Sequence, residues 1–206
     1  MPRYTDRPEP HVRAEGLLEA NASGGYIVSA FTEQDVFDSI ELRGTLEGLA
    51  ARFAAERGIP KPLDTALARC ISELDGAVAE FAVSYDCDRY VTLNDQFHNL
   101  LVEASQSPMI RRSLDRILAL PFAAPNAFVQ SSRSQLPEAA TIMATAQEQH
   151  RSILEAIRHR EGRRAEALAC EHSRSAWKYL RMALSDNMNE LPFPGRGLIQ
   201  PNAPRR

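Results

Sequence analysis

Apolar residues recur every three to four positions from Thr32 to Ser185, and no alternating strand pattern interrupts them. This spacing places the apolar side chains on one face of each of several helices. Breaks in the pattern leave helical segments at about 32–57, 62–83, 86–105, 110–118, 139–160 and 163–185. Short connections favour antiparallel neighbours, so the sequence predicts an all-α fold, an antiparallel bundle of six to seven helices.

The two ends of the chain lack this periodicity. Residues 1–13 contain three prolines among charged residues, a composition that suits neither helix nor strand. Leu17–Glu19 and Tyr26–Val28 favour two short strands, a β-hairpin near the N-terminus. We therefore expect a loose N-terminal segment with this hairpin over 1–31, a helical domain over 32–188, and a flexible tail rich in proline and arginine over 189–206.

Composition excludes several classes of protein. The net charge of −3 gives no basic bias toward nucleic acid or an anionic membrane. The three cysteines are odd in number and lack the C-x-x-C spacing, which argues against a disulfide framework and a cysteine-based zinc site. The first residues do not form a signal peptide, and no uncharged run reaches membrane-spanning length. We expect a cytoplasmic protein without a membrane partner.

Polar residues enter the apolar faces of three predicted helices. Asn94 and His98 are four residues apart and share one face of the third helix. His150 and His172 each lie 11 residues from a hinge at Glu161, so each is ~16 Å along its own helix. An antiparallel pair of helices would place these two histidines side by side, facing the interior.

Two interpretations of these buried groups remain open. Each histidine could be satisfied by its own hydrogen bond, or one divalent cation could satisfy all of them at once. Neutral imidazoles with an oxygen donor suit zinc, nickel, manganese or iron(II). His159 provides an internal comparison, because it lies nine residues after His150 and should face water on the opposite side of the helix.

Arg43 lies close to the apolar face of the first helix, where a hydrophobic residue would be expected. A guanidinium on the wall of a pocket can bind a carboxylate through two hydrogen bonds. Alternatively, Arg43 forms an intrahelical ion pair with Glu47, four residues further on.

Several short motifs occur in a particular order along the helical region. They are Glu41-Leu42-Arg43 with Leu46-Glu47, Asn94-x-x-Phe97-His98 followed by Leu101 and Glu103-Ala104-Ser105, His150-Arg151-x-Ile153-Leu154-x-Ala156-Ile157, and finally His172. In this order they resemble the FCD domain, the C-terminal effector-binding domain of GntR-type transcriptional regulators of the FadR subgroup. The resemblance covers about 32–185.

The resemblance implies a helical domain whose cavity holds a divalent metal on an aspartate and three histidines, with a small carboxylic acid bound over the metal. The implied metal ligands are Asn94, His98, His150 and His172, with zinc or nickel foremost and manganese or iron as further candidates. Arg43 would help to bind the acid. Asn94 departs from the family pattern, which has aspartate there, and Asp95 is a possible substitute ligand or an outer partner of the site.

The implied function is transcription regulation by a homodimer, in which the acid controls DNA binding, rather than an enzymatic activity. Residues 14–31 resemble the end and wing of the winged helix-turn-helix that precedes this domain in the family. Only about 13 residues come before them, too few for the helices that enter the major groove. We expect either a gene start set too far downstream or a naturally shortened protein, so operator DNA is a partner only through a helix-turn-helix that is not complete in this chain.

Two other functions compete with this one. The same histidines could serve a metal-dependent hydrolase or lyase by activating a water molecule. The absence of H-E-x-x-H weakens that alternative, and Glu148 is two residues from His150 and so directed away from it. The third possibility is a helical interaction module without a metal.

Overall fold

The structure, a computed structural model, describes residues 18–20, 24–120, 122–127, 129, 136–178 and 196–200. Six α-helices dominate this part of the chain, and the predicted all-α bundle is confirmed. The helices are α1 (Glu33–Arg57), α2 (Lys61–Ser84), α3 (Asp88–Ala104), α4 (Pro108–Leu118), α5 (Leu136–Arg158) and α6 (Gly162–Ser173). None of the helices in these residues is both long enough and apolar enough to cross a bilayer.

Helix α1 has defined signals at both ends. The Thr32 hydroxyl accepts a hydrogen bond from the Asp35 backbone N–H at 3.1 Å, and the Asp35 carboxylate accepts one from the Thr32 backbone N–H at 2.7 Å. These two bonds form a capping box, which satisfies two of the free N–H groups at the helix start. The helix ends before Gly58, whose φ of 91° is a conformation that glycine adopts without strain.

Helices α1 and α6 approach closely because α1 carries glycine where they meet. A Cβ atom on Gly44 would lie 1.9 Å from Ser173 Oγ, and one on Gly48 would lie 2.6 Å from Cys170 Sγ. No larger side chain fits at either position without moving α6. This close contact determines how deeply α6 packs into the bundle, and therefore where its buried side chains lie.

The last predicted helix is interrupted. The sequence predicts helix over about 163–185, whereas α6 ends at Ser173 and helix resumes at residues 175–178. At the break, Ser173 Oγ donates to the Cys170 carbonyl at 2.8 Å and the Arg174 N–H donates to the Glu171 carbonyl at 3.1 Å. These bonds to the third preceding residue compete with the regular helical pattern. Residues 179–195 lie outside the described part.

The described residues also form four short strands. Strands β1 (Leu18–Ala20) and β2 (Tyr26–Val28) pair antiparallel and form the predicted hairpin. Strand β3 (Phe31–Thr32) pairs in parallel with β4 (Ile199–Gln200), which follows a 3-10 turn at Arg196–Leu198. Within the tail predicted over 189–206, Ile199 packs against the core, because a β-branched apolar residue is better buried than exposed. The other expectations for the two ends concern residues 1–17, 189–195 and 201–206. These residues lie outside the described part of the chain.

Candidate functional site

Three histidines from three helices meet inside the bundle. His98 lies on α3, His150 on α5 and His172 on α6, and none of them is more than 7% exposed. Nε2 of His150 is 3.0 Å from Nε2 of His172, which is 3.4 Å from Nε2 of His98. The structure thus brings together the three histidines that the sequence predicts to face inward, while His159 is exposed.

The other ring nitrogen of each histidine faces a side-chain oxygen. Nδ1 of His150 is 3.0 Å from Gln147 Oε1, and Nδ1 of His172 is 3.2 Å from Gln149 Oε1. Gln147 is held in this orientation because its amide nitrogen donates to the Ile71 carbonyl at 2.8 Å and also to the Asp75 carboxylate. An amide oxygen can only accept a hydrogen bond, so Nδ1 carries the proton in both rings.

A buried ion pair, Glu47 with Arg43, lies beside Nδ1 of His98. Glu47 Oε1 lies 3.0 Å from His98 Nδ1, a contact that is close but not aligned as a hydrogen bond. Glu47 Oε2 accepts from the Arg43 guanidinium at 3.2 Å. Burial alone would raise the pKa of Glu47, but His98 and Arg43 outweigh it and lower this pKa to about 2. Glu47 is therefore an anion, and the carboxylate again favours a proton on Nδ1 of His98.

In a neutral ring with the proton on Nδ1 the lone pair is on Nε2, and the three Nε2 atoms lie close together. Burial, aided by the neighbouring imidazoles, lowers the pKa of His150 well below its usual value and that of His172 to about 3. These rings are therefore neutral at physiological pH. Neutral imidazoles with free lone pairs are the form of histidine that binds a metal ion.

The spacing of the three nitrogens fits a single metal ion. Bonds of about 2.0–2.1 Å separate two ligand nitrogens by roughly 2.9 Å at octahedral angles and roughly 3.3 Å at tetrahedral angles. The observed separations are 3.0 Å and 3.4 Å. The potential ligand atoms of the three histidines all lie within 4.8 Å of one another, and these residues form the only metal-compatible group of histidine, cysteine and acidic residues found in the described ranges.

Asn94 adds an oxygen beside this cluster, and Asp95 does not. Asn94 is 4% exposed and lines the same cavity as His98 and His172. Its Oδ1 is buried and accepts no hydrogen bond from any described residue, whereas its Nδ2 donates to Asn126 Oδ1 at 3.0 Å. Asp95 lies outside the histidine group, and its carboxylate instead accepts from Asn126 Nδ2 at 2.7 Å.

Two pockets adjoin the histidines on different sides. The first is lined by Arg43, Asn94, His98 and His172 and has an interior of about 20 Å³. A space of that size holds about one water molecule. The second has a volume of about 230 Å³ and is bordered by the carboxylates of Glu47 and Asp95 as well as by His98.

Comparison with known proteins decides the family. Residues 38–175 match the family model of the FCD domain. This chain belongs to the FCD domain family. The resemblance identified in the sequence is therefore confirmed, and the matched region contains all six candidate site residues.

One curated protein and several solved structures are similar to this chain. An uncharacterized HTH-type transcriptional regulator, YdhC of Bacillus subtilis, is 26% identical over 103 residues, which is 50% of this chain and 44% of that protein. Among solved structures, E. coli McbR/YncC matches with a TM-score of 0.63 and 13% identity over 85% of this chain and 77% of that one. Streptococcus agalactiae GntR matches with a TM-score of 0.51 and 20% identity over 82% and 77%. At these identities the solved structures establish the fold.

Four residues of the site were not predicted from the sequence. Glu47 was considered only as a partner of Arg43, a pair that the structure contains, and its contact with His98 was not anticipated. Gln147 is three residues before His150, so helical spacing alone could have suggested their contact. Gln149 and Asn126 had no comparable signal. Gln149 lies on α5 and contacts His172 on α6, and Asn126 lies in an irregular connection.

Proposed function

We propose that this FCD domain binds a small carboxylic acid over a divalent metal ion and thereby controls operator binding by a GntR-type regulator. His98, His150 and His172 would hold the ion through Nε2. The observation that carries the proposal is the meeting of three buried histidine Nε2 atoms. Asn94 would supply an oxygen from the same cavity.

The surrounding residues prepare the histidines for this task. Gln147, Gln149 and Glu47 face the Nδ1 atoms and so favour the tautomer with a free Nε2. The ion would supply positive charge and open coordination positions for a carboxylate oxygen. Three neutral nitrogens and one amide oxygen favour zinc or nickel, with manganese or iron(II) as further candidates.

Arg43 is suited to bind the acid from the cavity wall. It is 1% exposed, and its Nε makes no hydrogen bond to the described residues. A guanidinium has five N–H donors, so the bond to Glu47 leaves donors for a carboxylate. The larger pocket is less suitable for an acid, because its wall carries two carboxylates, Glu47 and Asp95, against one guanidinium, Arg111. The Arg111 guanidinium also already donates two hydrogen bonds to Asn99.

The size of the cavity suggests how acid binding could be communicated. An interior of about 20 Å³ does not accommodate an organic acid, so binding requires neighbouring elements to move apart. An acid that binds only the wider conformation shifts the population toward it. In a cytoplasmic homodimer this shift would change the relative placement of two DNA-binding domains and so the affinity for operator DNA.

Elemental analysis and a thermal-shift screen test this function together. The protein is purified without a metal-affinity tag, analysed for metal, and screened against small carboxylic acids before and after treatment with a chelator. We expect close to one ion per chain and at least one acid that raises the melting temperature only in the metal-loaded protein. The corresponding neutral amides, which lack the carboxylate, should have no effect. Failure to take up metal on reloading would contradict the proposal, as would an acid that acts equally without metal.

Substitution of Arg43 distinguishes acid binding from metal binding at the proposed site. Arg43→Lys should retain the metal and weaken acid binding, because an ammonium group cannot reproduce the planar pair of hydrogen bonds. Arg52→Lys is the matched control, since Arg52 lies on the same helix and pairs with Glu166 instead. Equal acid binding by both variants would remove Arg43 from the proposed site.

A further inference from the structure

Asn126 connects the irregular segment after α4 to the polar face of α3. Its Nδ2 donates to the Val91 carbonyl at 2.9 Å and to Asp95 Oδ1 at 2.7 Å. Its Oδ1 accepts from Asn94 Nδ2 at 3.0 Å. One side chain thus makes three hydrogen bonds to neighbouring turns of the helix that carries Asn94 and His98.

These bonds determine which way both amides face. The Val91 carbonyl and an ionised Asp95 can only accept hydrogen bonds, so the nitrogen of Asn126 must face them. The oxygen of Asn126 is then left for Asn94, which can meet it only with its own nitrogen. The Asn94 oxygen is consequently turned away from Asn126, and it is buried without a hydrogen bond to the described residues.

We propose that Asn126 is a positioning residue that directs the amide oxygen of Asn94 toward the metal ion. This inference rests on the proposed metal site and extends it to a residue in the connection between α4 and α5. An amide has one oxygen that can coordinate a cation and one NH₂ group that cannot. An asparagine ligand therefore depends on a partner that fixes its orientation, whereas a carboxylate presents an oxygen in either orientation.

The positioning role of Asn126 should depend on whether residue 94 is asparagine or aspartate. If residue 94 were aspartate, one of its oxygens would face Asn126 Oδ1 near the present 3.0 Å. Two oxygens without a proton between them repel each other, and Asn126 cannot turn its nitrogen toward them without giving up the Val91 and Asp95 bonds. Asn126 should therefore assist the metal site when residue 94 is asparagine and give no assistance when it is aspartate.

The test is a comparison of four full-length proteins by calorimetric titration with Zn²⁺: wild type, Asn126→Ala, Asn94→Asp and the double variant. Asn126→Ala should bind Zn²⁺ roughly 10-fold more weakly than wild type, in the range found for outer partners of metal ligands. The double variant should bind at least as tightly as Asn94→Asp. An equal loss in both backgrounds would show that Asn126 merely anchors the connection, and an unchanged Asn126→Ala affinity would also overturn the inference.

Two further measurements guard against a folding defect. The absorption bands of bound Co²⁺ should change between wild type and Asn126→Ala but not between Asn94→Asp and the double variant. Circular dichroism and urea unfolding of the four proteins should show that Asn126→Ala folds as wild type does, and an Asn126→Ala protein that is unfolded under the titration conditions would contradict a role limited to positioning Asn94. If wild type binds neither ion, the metal site itself fails, an outcome distinct from a wild type that binds and does not need Asn126.

Discussion

Nε2 of His150 lies 3.0 Å from Nε2 of His172, although each ring directs its Nδ1 proton to a different glutamine. With both protons held elsewhere, two lone pairs face each other in a buried space. This arrangement is unfavourable without a cation and favourable with one. An ion bound at this position would therefore stabilise the bundle.

Loss of either histidine should abolish metal binding. His150→Ala or His172→Ala removes one of three converging nitrogens, and the expected result is purified protein with little bound metal. His159→Ala is the control, because His159 is exposed on the same helix as His150 and should leave the metal content unchanged. Elemental analysis measures all three, with circular dichroism to confirm folding. Equal metal content in the three variants would refute the assignment.

Glu47 should influence the metal without contacting it. Glu47→Gln preserves the shape of the side chain but removes the buried negative charge beside His98. We expect metal affinity to fall about 10- to 100-fold, as it does when other outer partners of metal-binding histidines are removed. Competition with a chelating dye measures the change.

The matched control for this prediction is Glu166→Gln. Glu166 also pairs with an arginine of α1, at 3.1 Å from Arg52, but it lies outside the histidine site. Its substitution should leave metal affinity unchanged. If the two variants behave alike, Glu47 has only a structural role.

Regular helix geometry explains how much of the site could be predicted. Asn94 and His98 share a face because they are four residues apart, and the equal distances of His150 and His172 from the hinge place them at one depth. Each inference needs only the helical repeat and the position of the turn. The all-α bundle follows from the same repeat.

Other features depend on contacts that the local pattern does not encode. Asn126 lies in a connection without periodicity, so its bond to Asn94 could not be anticipated. The strand pair between Phe31 and Ile199 joins segments far apart in sequence. The end of α6 at Ser173 was missed because apolar periodicity continues beyond it, while side-chain and backbone hydrogen bonds interrupt the helix.

The capping box of α1 should make stability depend on acidic pH. Hydrogen bonds from the backbone and then the side chain of Thr32 lower the pKa of Asp35 from its ordinary 3.8. Because the folded pKa is the lower one, this stabilisation is fully present above pH 3.8 and is lost as the pH falls through the folded value. Thr32→Ala should cost about 1 kcal/mol at pH 7 and less at pH 3.

Urea unfolding at the two pH values measures this difference. Thr45→Ala is the control, since the exposed Thr45 hydroxyl only donates to the Glu41 carbonyl within the helix. Its effect should be small and independent of pH. A cost of Thr32→Ala that is the same at pH 3 and pH 7 would contradict the role of the ionised Asp35.

Close packing of α1 on α6 should be needed for both stability and metal binding. Gly44→Ala places a Cβ atom 1.9 Å from Ser173 Oγ, so α6 must move and His172, the preceding residue, must move with it. We expect a loss of about 1–3 kcal/mol in unfolding free energy and a weaker metal site.

Gly76→Ala is the control, because Gly76 is exposed on α2 and its added Cβ would meet nothing closer than 3.8 Å. That variant should be stabilised by about 0.5–1 kcal/mol through improved helix propensity. Chemical denaturation and Zn²⁺ titration of the pair would test the prediction, which fails if Gly44→Ala retains wild-type metal affinity.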